Sequence, residues 1–522
     1  MKFQIFSDNE WLYPDSVITE GKTIASLYLA KNASDCFQIL TDTTLKGGEA
    51  FKFSHDLEGL EVTMLQLLPA RVEANSAADY LVTLDYETVK DFVERQAPYD
   101  VFDVTATIDG DVLKAGRCAF YVRVKSSSDT VAGERIGKVE IIVGNEKIVV
   151  DVSAEVYSCA VPELEDAKFG MINWLFPDHI CKQHNVAKDS DEFWDMMGKY
   201  IDNELDMRNT HLQLPSGMPI RDEEGKVIGF DFTFASKVGN LALKKGFNYI
   251  YGGFVARFED WKDDEQYLLW DRKVGSCSIE GYRQLKLYFE AQYAEIEKHG
   301  WKDRYMQGLV DEPQFPNSMS YRALSGICRQ CMPGIKIIDP VESTELYGAL
   351  EIWVIKQAVY DKYPERYQAI RKEGGELWVY TCGFPAGDWM NRAIDLSPLA
   401  GRLPTWMAVA DNMLGFLHWG YNAWNDKPYE ETCYNQRSGE RKLPPGNGFI
   451  VYPGDNGPWD SIRSHLQRAG AEEAELLLQY MAKDEAAARA LIAKVCTSFK
   501  DYTKDISLFA DVRKELLEAL SR

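Results

Sequence analysis

The segment Arg304 to Pro313, RYMQGLVDEP, runs apolar and then ends in two adjacent carboxylates and a proline. An Asp-Glu dipeptide alone says little, because others begin at Asp191, Asp222, Asp264 and Asp484, all in polar stretches. Only Asp311 and Glu312 close a strand-like run, where two carboxylates repel each other and lose hydration unless chemistry requires them. The plain alternative is a surface turn with two solvated acids, or a cap for the helix that follows. Glycosidic cleavage needs a proton for the leaving oxygen and negative charge near the anomeric carbon, and two carboxyl groups supply both. Sequence neighbours cannot easily straddle a sugar ring, so an adjacent pair points to a division of labour in which the substrate's own 2-acetamido oxygen attacks. One carboxylate then orients the acetamide nitrogen and stabilises the oxazolinium ion, while its neighbour acts as acid and then base. The ordinary mechanism stays open, with Glu312 as acid and a separate nucleophile such as Asp339 or Glu342 after the next strand.

Pyranose faces stack on aromatic rings, and an acetamide methyl needs a small apolar pocket. Trp174, Tyr251, Trp353, Tyr380 and Trp424 fall at or near strand ends and are the candidate substrate-binding platforms. Strand alternation puts Asn422 on the same side as Trp424, where its amide would hydrogen-bond hydroxyls. The competing role for each aromatic is core packing.

Other chemistries lack their parts. His179 and His184 are five apart, no HExxH occurs, and His211 and His418 stand alone on strands. Cys328 and Cys331 form a CxxC without a second pair, so no metal and no cofactor are expected. There is no GxSxG, GxxxxGK[ST] or strand-borne GxGxxG, which sets aside esterase, nucleotidase and dinucleotide readings. A net charge of -23 disfavours nucleic acid and anionic membranes and suits a neutral glycan or glycoconjugate. The opening residues turn polar without an apolar signal region, and the ten cysteines show no disulfide spacing. A cytoplasmic location is therefore expected, with no membrane insertion and no weight on the Asn32 sequon. A catalytically silent glycan-binding protein is the alternative from outside enzymology.

The elements that must hold these residues read as follows. A chain of 522 residues exceeds one ordinary core. Up to about residue 160, short alternating stretches such as AFYVRV, KVEIIV and KIVVDVSAEV argue an antiparallel β-sandwich. From 161 to 480, eight strand-like runs alternate with amphipathic stretches and suit a (β/α)8 barrel, with a doubly wound sheet as runner-up. The runs are 169–175, 210–214, 247–252, 304–310, 335–339, 351–355, 377–381 and 415–424. Helices are expected over 192–208, 279–299, 318–331, 361–372 and 459–480, with a helical extension over 481–522. Catalytic groups should follow the strands' C-terminal ends.

Three motifs carry a resemblance: LVDEP (Leu309 to Pro313), GFLHWGYNAW (Gly415 to Trp424), and PPGNGFIVYPG (Pro444 to Gly454) followed by Ser461-Ile462-Arg463. In these the chain resembles glycoside hydrolase family 123, the retaining β-N-acetylgalactosaminidases, over most of residues 160 to 480. The sandwich before a barrel also matches the family layout. The resemblance implies an exo-acting enzyme using substrate assistance, with Asp311 as acetamide orienter and Glu312 as general acid/base. Asn447, where the family often has Asp, and His418, where it often has Arg, depart from the pattern.

Overall fold

The computed structural model describes residues 1–19, 23–79, 81–436 and 441–522. Eight short parallel strands form the barrel: β1 (Gly170–Asn173), β2 (His211–Gln213), β3 (Tyr249–Gly252), β4 (Tyr305–Gln307), β5 (Lys336–Val341), β6 (Ile352–Lys356), β7 (Glu376–Tyr380) and β8 (Gly415–His418). Each of the eight runs read from the sequence overlaps one of them. Hydrogen-bonded neighbours run β1-β8-β7-β6-β5-β4-β3-β2. The ring closes between β1 and β2 through a narrow seam. There the Thr210 N–H donates to the Met171 carbonyl at 3.0 Å, and the Met171 N–H donates to the Thr210 hydroxyl at 2.9 Å.

These strands are apolar on both faces, as buried parallel strands must be. Ile172, Tyr251, Ile338, Val354, Trp378 and Leu417 fill the lumen, while Trp353 and Ile355 pack outward beneath the helices. The Trp378 ring leaves no room for a side chain on β1 or β8: a Cβ on Gly170 or Gly415 would lie 2.1 or 2.2 Å from it.

Helices Asp191–Asp206, Ile279–His299, Ser318–Cys331 and Pro364–Lys372 cover the outside. Ser190 and Ser278 cap the first two through their hydroxyls, satisfying otherwise orphaned N–H groups. Two differences from the sequence reading concern where helices lie. No helix follows β5; residues 342–351 pass directly to β6. Trp459 does not open a helix but lies in the strand Pro458–Ser461, and the helix Ile462–Lys483 starts only where the Ser461 hydroxyl accepts the Ser464 N–H. Among the described residues no helix is long and apolar enough to cross a membrane.

The N-terminal region forms a sandwich of a four-stranded sheet and a seven-stranded sheet, to which it supplies five strands. Leu27, Ile39, Phe120, Val122, Ile141 and Val152 meet between them. Pairing is antiparallel except where Ile24–Lys31 runs parallel to Glu146–Ala160. The seven-stranded sheet is buried on its second face too: Leu40, Leu67 and Val101 pack with Ile394, Ile462 and Leu466 of the barrel region. Strand Pro458–Ser461 also joins this sheet, pairing Asp460 with Thr105 and Ser461 with Val104. At the far end of the chain, Arg513 in the helix Ile506–Ser521 donates to the Tyr28 carbonyl at 2.9 Å.

Candidate active site

The Asp-Glu pair is held at the top of β4 by backbone and buried side chains together. The Leu309 N–H donates to the Asp339 carboxyl at 2.9 Å, and the Tyr321 hydroxyl donates to the same carboxyl at 2.6 Å. The Glu312 N–H then donates to the Pro340 carbonyl at 3.1 Å, and the Glu342 N–H to the Pro313 carbonyl at 3.0 Å. Glu312 itself sits at φ 53°, a left-handed conformation uncommon for a residue with a Cβ. In an extended strand, consecutive side chains point to opposite faces. The left-handed residue breaks that alternation, and both carboxyls come within electrostatic reach of Cys382.

Glu312 is heavily engaged. Its Oε1 accepts from the Tyr380 hydroxyl at 2.5 Å and pairs with Lys356 Nζ at 2.9 Å. Lys356 also contacts Glu342, whose other oxygen accepts from Gln314 at 3.3 Å. The Glu312 and Glu342 carboxyls thus meet on one ammonium and influence each other's proton affinity. Burial pushes Glu312 upward, but the Lys356 charge and the Tyr380 hydrogen bond outweigh it and hold this carboxyl below its ordinary value. Glu342 goes the other way, raised to about 7 by burial and by the Glu312 charge. Asp311 is pushed well above the usual carboxylate range, first by burial and then by Glu312. No hydrogen bond contributes to its shift. Lys356 is raised despite burial, chiefly by Glu312.

Of the six substrate-binding candidates read from the sequence, Trp174, Tyr251 and Tyr380 come together around this pair. Tyr251 lies beside Trp174 and feels the Asp311 charge; Trp174 meets Phe254 edge-on at 5.4 Å. The other three are corrected. Trp353 faces away from the lumen and packs on Tyr347 and Tyr367, with ring centroids 6.2 and 6.3 Å away. β8 ends at His418, so the alternation assumed through Trp424 does not exist. Asn422 is spent on backbone, accepting from the Phe176 N–H at 2.7 Å and donating to its carbonyl at 3.1 Å. Trp424 is buried with its indole N–H on the Val451 carbonyl at 2.7 Å.

Asp339, considered as a nucleophile, is instead the buried anchor of Leu309. Lys356 was missed. Its signal was present: it is a charge ending an apolar strand, EIWVIK, the same placement that singled out Asp311. The departures from the family pattern lie deeper. Asn447 accepts from the Trp419 indole at 3.0 Å, and buried His418 accepts from the Gly420 N–H at 3.1 Å.

A cavity of about 610 Å³ lies at the other end of the barrel, lined by residues that begin strands, among them Gly170, His211, Lys336, Ile352 and Glu376. The paired carboxyls are at the strands' C-terminal ends, where barrel enzymes carry their chemistry. A parallel barrel presenting adjacent carboxyls and aromatic rings at that face is laid out as a glycoside hydrolase.

The sequence matches the family model for the glycoside hydrolase 123 catalytic domain over residues 174–480. The chain belongs to glycoside hydrolase family 123, and is a glycoside hydrolase. Its fold is similar to that of a family 123 glycoside hydrolase from Clostridium perfringens, with a TM-score of 0.76 at 12% identity, covering 99% of this chain and 97% of that one. A family 5 xyloglucanase from Bacteroides ovatus matches at a TM-score of 0.34 and 8% identity, over 85% of this chain and 98% of the other. No curated protein sequence matches this chain.

Proposed function

We propose that the protein is a retaining exo-β-N-acetylgalactosaminidase working by substrate assistance. The observation that carries the reading is the unequal environment of the two adjacent carboxyls. Glu312 is bound by Tyr380 and Lys356, whereas no hydrogen bond contributes at Asp311, leaving a buried carboxyl available to an incoming amide N–H. Asp311 orients the acetamide by accepting its N–H, so that the acetamide oxygen reaches the anomeric carbon, and this hydrogen bond stabilises the cationic ring that forms. Glu312 delivers a proton to the leaving oxygen and later takes one from water. Trp174 and Tyr251 supply apolar surface for the sugar. The separate-nucleophile mechanism is less favoured: it needs carboxyls about 5–5.5 Å apart across the bond, but Glu342 shares one ammonium with Glu312 and Asp339 is committed to Leu309. The Clostridium perfringens relative is described in connection with glycolipid glycans, which makes glycolipids part of the substrate class to assay.

The test is a hydrolysis panel of aryl N-acetyl-β-galactosaminide, N-acetyl-β-glucosaminide and unsubstituted galactoside. Only acetamido sugars should turn over, and a thiazoline mimic of the oxazolinium ion should inhibit. Glu312→Gln should lose about 10²- to 10⁴-fold in kcat/KM on poor leaving groups. Near-normal activity in that variant, or brisk cleavage of the plain galactoside, would sink the proposal.

A further inference from the structure

Three carboxyls and one ammonium share this site, and their charges do not balance. Lys356 contacts both Glu312 and Glu342, so one positive charge serves two neighbouring acids. Two carboxylates in such contact keep one proton between them. In the free protein that proton rests on Glu342, because Tyr380 adds its hydrogen bond to Glu312 alone. The consequence for the proposed mechanism is awkward: the residue that must donate a proton is held as a carboxylate.

From this contact we infer that Glu342 is the positioning residue that loads Glu312, passing it the shared proton when substrate engages. The inference rests on the proposed role of Glu312. The O–H bond on Glu342 breaks as one forms on Glu312, leaving Glu342 as the carboxylate and Lys356 already in contact to neutralise it. Glu312 then gives this proton to the leaving oxygen, which takes the electron pair of the breaking glycosidic bond. When water opens the oxazolinium ion, Glu312 accepts its proton and the pair is restored. No redox partner or metal enters the balance. The hydrogen-bonded Gln314 holds the other Glu342 oxygen, and the Glu342 N–H on Pro313 keeps the two acids in register.

The titratable and charged groups facing the pair are few. Asp311 lies on the same turn, Lys356 ends β6, Tyr380 and Cys382 come from the end of β7, and Tyr367 faces Glu342 from the covering helix Pro364–Lys372. The hydroxyls of Tyr367 and Tyr380 and the thiol of Cys382 are all raised by burial, so they stay protonated through neutral pH. Lys356 stays charged. Asp311 also holds its proton above the usual carboxylate range, so a shift of the alkaline limb on replacing Glu342 is what identifies the pair's own proton.

The experiment measures kcat/KM against pH for the full-length protein and for Glu342→Gln, on N-acetyl-β-galactosaminides with a dinitrophenyl and with a sugar leaving group. The native profile should fall on its alkaline side near the Glu342 value of about 7. In Glu342→Gln that limb should move to lower pH, with a loss of about 10²-fold on the sugar leaving group and less than about threefold on the dinitrophenyl one. Glu342→Asp, which keeps a proton carrier, should retain the native limb. An unmoved limb in Glu342→Gln, or equal losses on both leaving groups, would overturn the inference. If Glu342→Gln does not fold, a displaced limb in Glu342→Asp would do so. Glu312→Gln run alongside separates the cases: if it keeps activity on the sugar leaving group, the proposed function has failed rather than the role of Glu342 alone.

Discussion

The acid chemistry of the site is set by which oxygen holds each partner. Glu312 takes both the Tyr380 hydroxyl and the Lys356 ammonium, and Asp311 takes neither. Replacing Tyr380 with Phe removes a hydrogen bond made to the charged form, so the proton affinity of the Glu312–Glu342 pair should rise. The alkaline limb of kcat/KM should move upward, opposite to the shift expected for Glu342→Gln; a pH–rate profile with no such move would contradict the assignment. Stability carries a second signature. An acid whose folded pKa is raised stabilises the fold fully below its unfolded pKa and loses that contribution as pH rises through the folded value. For Glu342 the window runs from about 4.5 to about 7. Chemical denaturation at pH 5 and pH 7.5 should show Glu342→Gln losing less stability across that interval than the unmodified protein, by about 1–3 kcal/mol. Asp311 and Glu312 were readable in the sequence because a charged pair ending an apolar strand is conspicuous. The Lys356–Glu342 bridge was not, since it joins residues from two different strand ends through geometry that spacing alone does not encode.

At the scale of elements, the alternation rule worked only where the strand actually continued. It located eight strands because parallel strands buried on both faces leave long apolar runs. It misjudged Asn422 and Trp424 because β8 stops at His418 and the backbone beyond it turns. Trp353 shows the other limit: in a barrel strand apolar on both faces, composition does not tell lumen from exterior. Its outward packing predicts that Trp353→Ala costs about 3–5 kcal/mol of stability while leaving KM for an aryl glycoside within about twofold, as thermal melts and kinetics would show. Gly415→Ala drives a methyl into the Trp378 ring. Overpacking of this kind should cost about 1–3 kcal/mol or more, read as a lowered denaturation midpoint, whereas an unchanged midpoint would mean that the lumen is looser than its packing indicates.

Across the whole molecule, sandwich and barrel share elements as well as a surface. Strand Pro458–Ser461 belongs to the seven-stranded sheet, and the next residue but one, Arg463, is buried against Asp103 of that sheet at 2.9 Å. Asp103→Asn would strand a buried guanidinium and should cost about 3–5 kcal/mol. Calorimetry should record one cooperative transition, and two separated transitions would show that the shared strand does not couple the halves. The sandwich and the barrel were each legible in sequence, but this sharing was not, because a late strand joining an early sheet leaves no local mark. The barrel's own closure has a further consequence. Seven of its neighbouring strand pairs are laced by regular ladders, but β1 and β2 meet through the Thr210–Met171 contacts and a single Asn173–Asn209 side-chain hydrogen bond. A ring fastened by one clasp opens there first. In native-state hydrogen exchange the Thr210 amide should therefore trade its proton for deuterium sooner than amides in the middle of β6 or β7, marking the place where the wall beneath Trp174 breathes.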